Sequence, residues 1–172
     1  MIHLVGIGNP PLATLDSLSV RIARAFRESC HVRPESIDPG FAFDPVRGQY
    51  HATSLLRLLS EKAGDTRLVG VATVDLYVPI FTFVFGEAQL GGPAALISTF
   101  RLRQEYYGLP PDPDLLLERI AKEAMHELGH THGLRHCHDW SCPMASTTAI
   151  ERLDLKGQRF CETCRGKIAA AP

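Results

Sequence analysis

Histidine and cysteine are unevenly spread along these 172 residues, and the unevenness marks where chemistry can occur. Five of the eight histidines (His126, His130, His132, His136 and His138) fall within thirteen consecutive residues. His126 and His130 are four apart, so on a helix they share one face, where two imidazoles can bind one metal ion. Glu127, one position on, reaches the open side of that ion without ligating it. Gly133 lets the chain leave the helix sharply and return His136 to the same ion. Three neutral imidazoles leave a fourth position for water, which is the arrangement of a catalytic zinc. The full pattern His126-Glu127-x-x-His130-x-x-Gly133-x-x-His136 fixes too many positions to be a coincidence of ordinary helix histidines. His132 points to the far side of the helix and reads as a surface or core histidine. His138 could replace His136 as third ligand, but the spacing after Gly133 favours His136.

Four of the five cysteines follow closely. Cys137 and Cys142 are separated by four residues, Cys161 and Cys164 by two, with eighteen between the pairs. That spacing describes a closed four-thiolate site, and four thiolates leave no open position, so a zinc ion there is structural. A redox pair at Cys161 and Cys164, or a disulfide, is the alternative. The companion pair argues against both. Cys137 directly follows His136, so the two sites should lie close together. Cys30 stands alone and reads as a buried small apolar residue.

These side chains need elements to position them. Asp112-Pro113-Asp114 is a helix opening: Asp112 caps, Pro113 suits the first helical position, and Asp114 favours the positive end. The helix runs to about His132. Leu116, Leu117, Ile120, Ala121, Ala124 and Leu128 form its apolar side, facing the core. Arg119, Lys122 and Glu123, one or two turns before the metal on its face, are expected at the surface. Upstream, apolar periodicity predicts a strand over 2–7, helices over 16–29 and 53–63, and a short strand near 31–33. Strands follow over 67–73, 80–85 and 94–99, the last as an edge strand. Residues 34–48 should form a long loop or irregular hairpin carrying Phe41 and Phe43, either tucked into the core edge or lining a groove. Residues 101–111 read as a linker, and a short C-terminal helix is expected near 165–170. The fold class is α/β: a mixed sheet packed with helices, a long zinc-binding active-site helix and a C-terminal four-cysteine zinc subsite. Residues 1–172 read as one domain: a strand/helix part over 1–111, the metal helix and motif over 112–136, and the cysteine site with the last helix over 137–172.

The charge balance, 18 Lys plus Arg against 19 Asp plus Glu, argues against a dedicated nucleic-acid binder. No apolar run approaches the ~20 residues of a membrane helix. The start of the chain lacks the basic and apolar stretches of a signal peptide. Thiolate zinc and the missing leader point to a reducing cytoplasm.

The run from His126 to Cys137, then Cys142-Pro143-Met144, then Cys161-x-x-Cys164, resembles the archaemetzincins, a branch of the metzincin zinc peptidases. Phe83-Val84-Phe85-Gly86-Glu87-Ala88, the run from Ala94 to Ser98, and Arg101-Leu102 resemble the same family, so the likeness covers most of the chain from about residue 67. It implies a metzincin-like fold. His126, His130 and His136 match the ligands of the catalytic zinc, and Glu127 matches the general base. Met144 matches the methionine of the Met-turn; without the resemblance it would read as a core residue. Cys137, Cys142, Cys161 and Cys164 match a second, structural zinc site. The loop between Met144 and Cys161 is one residue shorter than the family pattern. In metzincins an edge strand above the cleft pairs with extended substrate, and residues 94–99 are expected to supply it. The expected protein is a zinc endopeptidase or aminopeptidase-type hydrolase acting on peptide or protein substrates, with two Zn2+ per chain, as a monomer without nucleic-acid or membrane partners. The competing expectation is a latent or non-catalytic zinc-stabilised module that binds peptide or protein.

Overall fold

The computed structural model describes residues 1–169. The chain runs β1 (Ile2–Ile7), α1 (Leu12–Phe26), β2 (Cys30–Ile37), β3 (Phe43–Asp44), β4 (Gln49–His51) and α2 (Ala52–Ala63). It continues through β5 (Arg67–Ala72), β6 (Leu76–Tyr77), β7 (Gly86–Ala88) and β8 (Ala94–Ser98), then α3 (Pro113–Thr131), α4 (Ile150–Leu155) and α5 (Glu162–Ala169). The main sheet has the order β2-β1-β5-β8-β7. Its first four strands are parallel, and β7 pairs antiparallel to β8. Parallel strands covered on both faces read as continuous apolar runs, and β5 and β8 do so. Alternate side chains serve two cores. Leu4, Val69, Val71 and Ile97 pack with α1 and α3 on one face. Val5, Leu68 and Leu96 pack with α2 on the other. A small second sheet, β3-β4-β6, stands beside this one.

Several expectations are corrected. β8 is not an edge strand: it pairs with β5 on one side and β7 on the other. The edge on that side of the sheet is β7, three residues long. Residues 80–85 do not form a strand, although β-branched and aromatic residues fill them. Only Val84 makes a bridge, to Leu76, and the loop is gripped by side chains instead of a ladder. Arg47 donates to the carbonyls of Phe81 and Thr82 (2.9 and 3.3 Å), and Gln49 donates to Thr82 (3.0 Å). Helix α1 begins at Leu12, four residues before the expected start, because its first turn opens directly on Pro11. Strand β2 runs through Pro34 at the outer edge of the sheet, where a missing N–H breaks no central ladder. Residues 34–48 otherwise form the irregular hairpin foreseen, and Phe41 and Phe43 are exposed on it. The linker holds two 3₁₀ turns, Phe100–Leu102 and Gln104–Tyr107, and α4 was not foreseen. The C-terminal helix starts at Glu162; Ala170, the end of its expected range, lies outside the described residues.

Helix α3 positions the histidines. Asp112 caps it, accepting from the Leu115 amide at 2.9 Å, and Pro113 follows at the first helical position. The helix passes through the middle of the molecule, packed on α1 and β8 and covered by α4. Arg119, Lys122 and Glu123 are therefore buried rather than exposed, at 5%, 1% and 4%. A helix covered on every side has no solvent face, so its polar groups must find partners instead. Arg119 holds Asp154 through two bonds of 2.7 Å and donates to the Leu102 carbonyl. Lys122 donates to the Asp154 carbonyl (3.0 Å) and pairs with Glu118 (2.7 Å).

Candidate metal centres

The exit from α3 is built as its sequence suggests. The His132 and Gly133 amides close the last turn, Gly133 sits at φ +80°, and the Leu134 amide returns to the Gly129 carbonyl at 2.9 Å. This reversal brings His136 back beside His126 and His130. Its ring lies 5.3 and 5.1 Å from theirs, centroid to centroid. All three rings offer nitrogens within 4.8 Å of one another. Nδ1 of His126 donates to the Pro143 carbonyl and Nδ1 of His130 to the Leu134 carbonyl, both at 2.8 Å. Those bonds fix the tautomer and leave both Nε2 lone pairs pointing inward. The two Nε2 atoms lie 3.1 Å apart. Tetrahedral zinc at about 2.0–2.1 Å from each nitrogen requires roughly 3.3 Å, so the donor set fits that ion. Burial, and then the charge of Lys156, brings the His126 pKa down to about 3; burial lowers His130 as well. Both rings are thus held in the neutral form that ligates.

Glu127 is 5% exposed beside this cup. A Cβ at Gly86 would stand 2.7 Å from Glu127 Cγ and 2.9 Å from Oε1, so only glycine lets edge strand β7 pass so close to the carboxyl group. Burial raises the Glu127 pKa well above the ordinary carboxylate range, and the neighbouring Glu123 adds to the rise. Beneath the helix, Met144 is fully buried. It occupies a tight turn closed by the Ala145 amide on the Cys142 carbonyl (2.9 Å). A Cβ at Gly129 would run into its sulfur, so the space between the two helix histidines is cut to fit this methionine.

The four cysteines also converge. Their sulfurs lie within 4.8 Å of one another, and none forms a disulfide. Cys137 and Cys161 are 3.8 Å apart, the separation that two Zn–S bonds of about 2.3 Å give in a tetrahedron. The Cys137 amide donates to the Met144 carbonyl (2.9 Å), joining the two clusters through the chain. The remaining cysteine and histidines are elsewhere. His132 is a core residue: its ring stacks on Phe26 at 4.7 Å and bonds Glu28 and the Leu128 carbonyl. His138 is exposed and outside both clusters. Cys30 is half-buried against the core, and burial pushes its thiol up to about 12. The reading by spacing missed Lys156 and the buried state of Glu123. Neither carried a signal, because a lone lysine in a helical tail looks like any surface residue.

A glutamate held beside three such imidazoles, on the central helix of a mixed α/β fold, defines a zinc-dependent metallopeptidase. Comparison with known proteins takes this further. Residues 30–170 match the pattern of peptidase family M54. The archaemetzincin of Methanocaldococcus jannaschii is 43% identical over 139 residues, which is 81% of this chain and 76% of that one. The crystal structure of a zinc-dependent peptidase from Methanocorpusculum labreanum superposes with a TM-score of 0.90 at 30% identity, covering 98% of this chain and 100% of the other. That of archaemetzincin from Methanopyrus kandleri gives 0.84 at 34% identity, over 99% and 94%. The chain belongs to peptidase family M54, with the archaemetzincins.

Proposed function

We propose that His126, His130 and His136 hold the catalytic zinc of this metallopeptidase, with Glu127 as its general base. We further propose that Cys137, Cys142, Cys161 and Cys164 hold a second, structural zinc, giving two ions per chain. The observation that carries the first assignment is the inward pair of Nε2 atoms, converging with His136, next to a buried Glu127. Held by His126, His130 and His136, zinc would supply Lewis acidity and lower the pKa of a bound water to about 7. The Glu127 carboxylate accepts a proton from the attacking water and delivers it to the departing amine nitrogen. The packing of Glu127 against Gly86 fixes where its carboxyl group sits. Edge strand β7 has one side unpaired in the sheet, so an extended peptide can add to it as a further strand. The Met144 turn supports the floor under the ligands.

Residues 1–172 act as one unit, and both sites are complete within one chain, which supports a monomer acting on peptides or proteins. Four free thiols at one site fit a reducing compartment such as the cytoplasm. No helix among the described residues is long and apolar enough to cross a membrane, and the net charge of -1 gives nucleic acid little hold.

The test is Glu127→Gln against a diverse peptide library, with products read by mass spectrometry and metal content by elemental analysis. Expected is a loss of hydrolysis of at least about 100-fold with zinc retained. Cleavage at wild-type rates in the variant removes Glu127 from the role. No cleavage by either protein favours a latent or non-catalytic binding module.

A further inference from the structure

Lys156 follows α4 and is 4% exposed. Burying an ammonium is costly unless its protons are used. One of them reaches the Pro143 carbonyl oxygen at 3.1 Å. The same oxygen accepts from Nδ1 of His126 at 2.8 Å. A carbonyl has two lone pairs, and here one takes the lysine while the other takes the imidazole. The next residue adds a second grip: the Gly157 amide donates to the Ser141 carbonyl at 2.7 Å. A Cβ at Gly157 would already be tight against that oxygen, at 3.1 Å. Lys156 and Gly157 therefore clamp the turn that carries Cys142, Pro143 and Met144. On the other side, the Lys156 charge acts on Glu123 and Glu127, and Oε2 of Glu123 is buried with no partner. The ammonium thus ties the methionine turn to the backbone oxygen that orients a histidine.

We propose that Lys156 is a positioning residue of the three-histidine site: by pinning the Pro143 carbonyl it fixes the ring of His126 and the direction of its Nε2. This rests on the reading that the three histidines hold the catalytic ion. An oxygen held by both donors cannot swing away when the ligand ring turns, so the site is preorganised before metal enters. Partners of this kind change metal affinity by about 10–100-fold when removed.

The test compares wild type with Lys156→Met and Lys156→Gln, loaded with Zn2+ or Co2+. Lys122→Met is the control, because that lysine is as buried but reaches Asp154 and Glu118 instead of the turn. Chelator competition gives the affinity of each site. Cobalt spectra separate them, since thiolate ligands add charge-transfer bands that imidazoles lack. Expected is a tenfold or greater loss of affinity at the histidine site in Lys156→Met with altered cobalt bands there, a smaller loss in Lys156→Gln, and an unchanged cysteine site. Should Lys156→Met fail to fold, Lys156→Gln carries the comparison. Unchanged affinity and spectrum at the histidine site overturn the inference alone, as does an equal loss in Lys122→Met. A wild-type protein whose three histidines take no cobalt overturns the site and the inference together.

Discussion

At the scale of single residues, the metal-free site should be sensitive to acid. His126 titrates near 6.5 when exposed, and the fold brings it down to about 3, first by burial and then by the nearby Lys156 charge. His130 moves the same way. The unfolded chain then binds a proton that the native state refuses. The stabilisation is complete above about pH 6.5 and is lost as the pH falls toward 3. Urea midpoints of the metal-free protein should fall across this window, and His126→Gln should flatten the slope. An identical slope in the variant would mean that other groups set the acid limb. Gly86 makes a second point. An added methyl would press on both Glu127 Cγ and the Leu96 carbonyl, each 2.7 Å away. Gly86→Ala should cost about 1–3 kcal/mol by overpacking. It should also lower peptide hydrolysis more than zinc content, because it displaces the carboxyl group and not the imidazoles. Parallel losses of metal and activity would argue against that.

At the scale of elements, α3 depends on a polar seam with α4 as much as on its apolar side. The Arg119–Asp154 pair has two bonds of 2.7 Å, with the arginine side chain 7% and the aspartate 35% exposed. Because the carboxylate still sees water, Arg119→Ala should cost nearer the about 1.5–3 kcal/mol of a charged hydrogen bond than the full penalty of a buried pair. Denaturant unfolding measures it, and a change under 0.5 kcal/mol would mean that the seam contributes specificity without stability. This seam also shows why the sequence misleads locally. The periodic apolar residues of α3, its Asp112 cap and its Gly133 exit were readable, since each is a local signal. The burial of Arg119, Lys122 and Glu123 was not, because it depends on α4 arriving from thirty residues downstream. The edge was misplaced for a similar reason. Residues 80–85 have the composition of a strand, but Arg47 and Gln49 satisfy their carbonyls from a distant hairpin, and pairing falls to Gly86–Ala88. The convergence of the three histidines and of the four cysteines was legible because ligation demands fixed residue types at fixed spacing, whereas pairing demands only backbone.

At the scale of the whole molecule, the described residues after α3 form no sheet and divide between the main core and a small cluster of their own. Leu134, Cys142, Met144 and Cys164 form a small buried cluster with Phe160 and Ile168 packed against it, while Ile150 and Leu153 of α4 join the main core. The 137–145 turn rests on that small cluster, so a metal ion bound by the four thiols would add folding energy there. The cysteine site joins 137–142 to 161–164, and through the Cys137 amide it reaches the Met144 carbonyl and the neighbouring His136. Burial raises the Cys142 and Cys164 thiols, so both are protonated before metal enters and release protons as it binds. Zinc at this site should therefore bind more tightly as pH rises through neutrality. Cys164→Ser should lose one zinc per chain and remove hydrogen-exchange protection from α5 and the 137–145 turn. The main sheet and α1, whose core is built mostly from their own residues and α3, should keep theirs. Activity should fall as well, although Cys164 is not a ligand of the histidine site, because His136 and the Met144 turn lose their anchor. If the variant keeps both its protection over 137–145 and its hydrolysis, the tail is held by packing alone and the second ion is not what stabilises it.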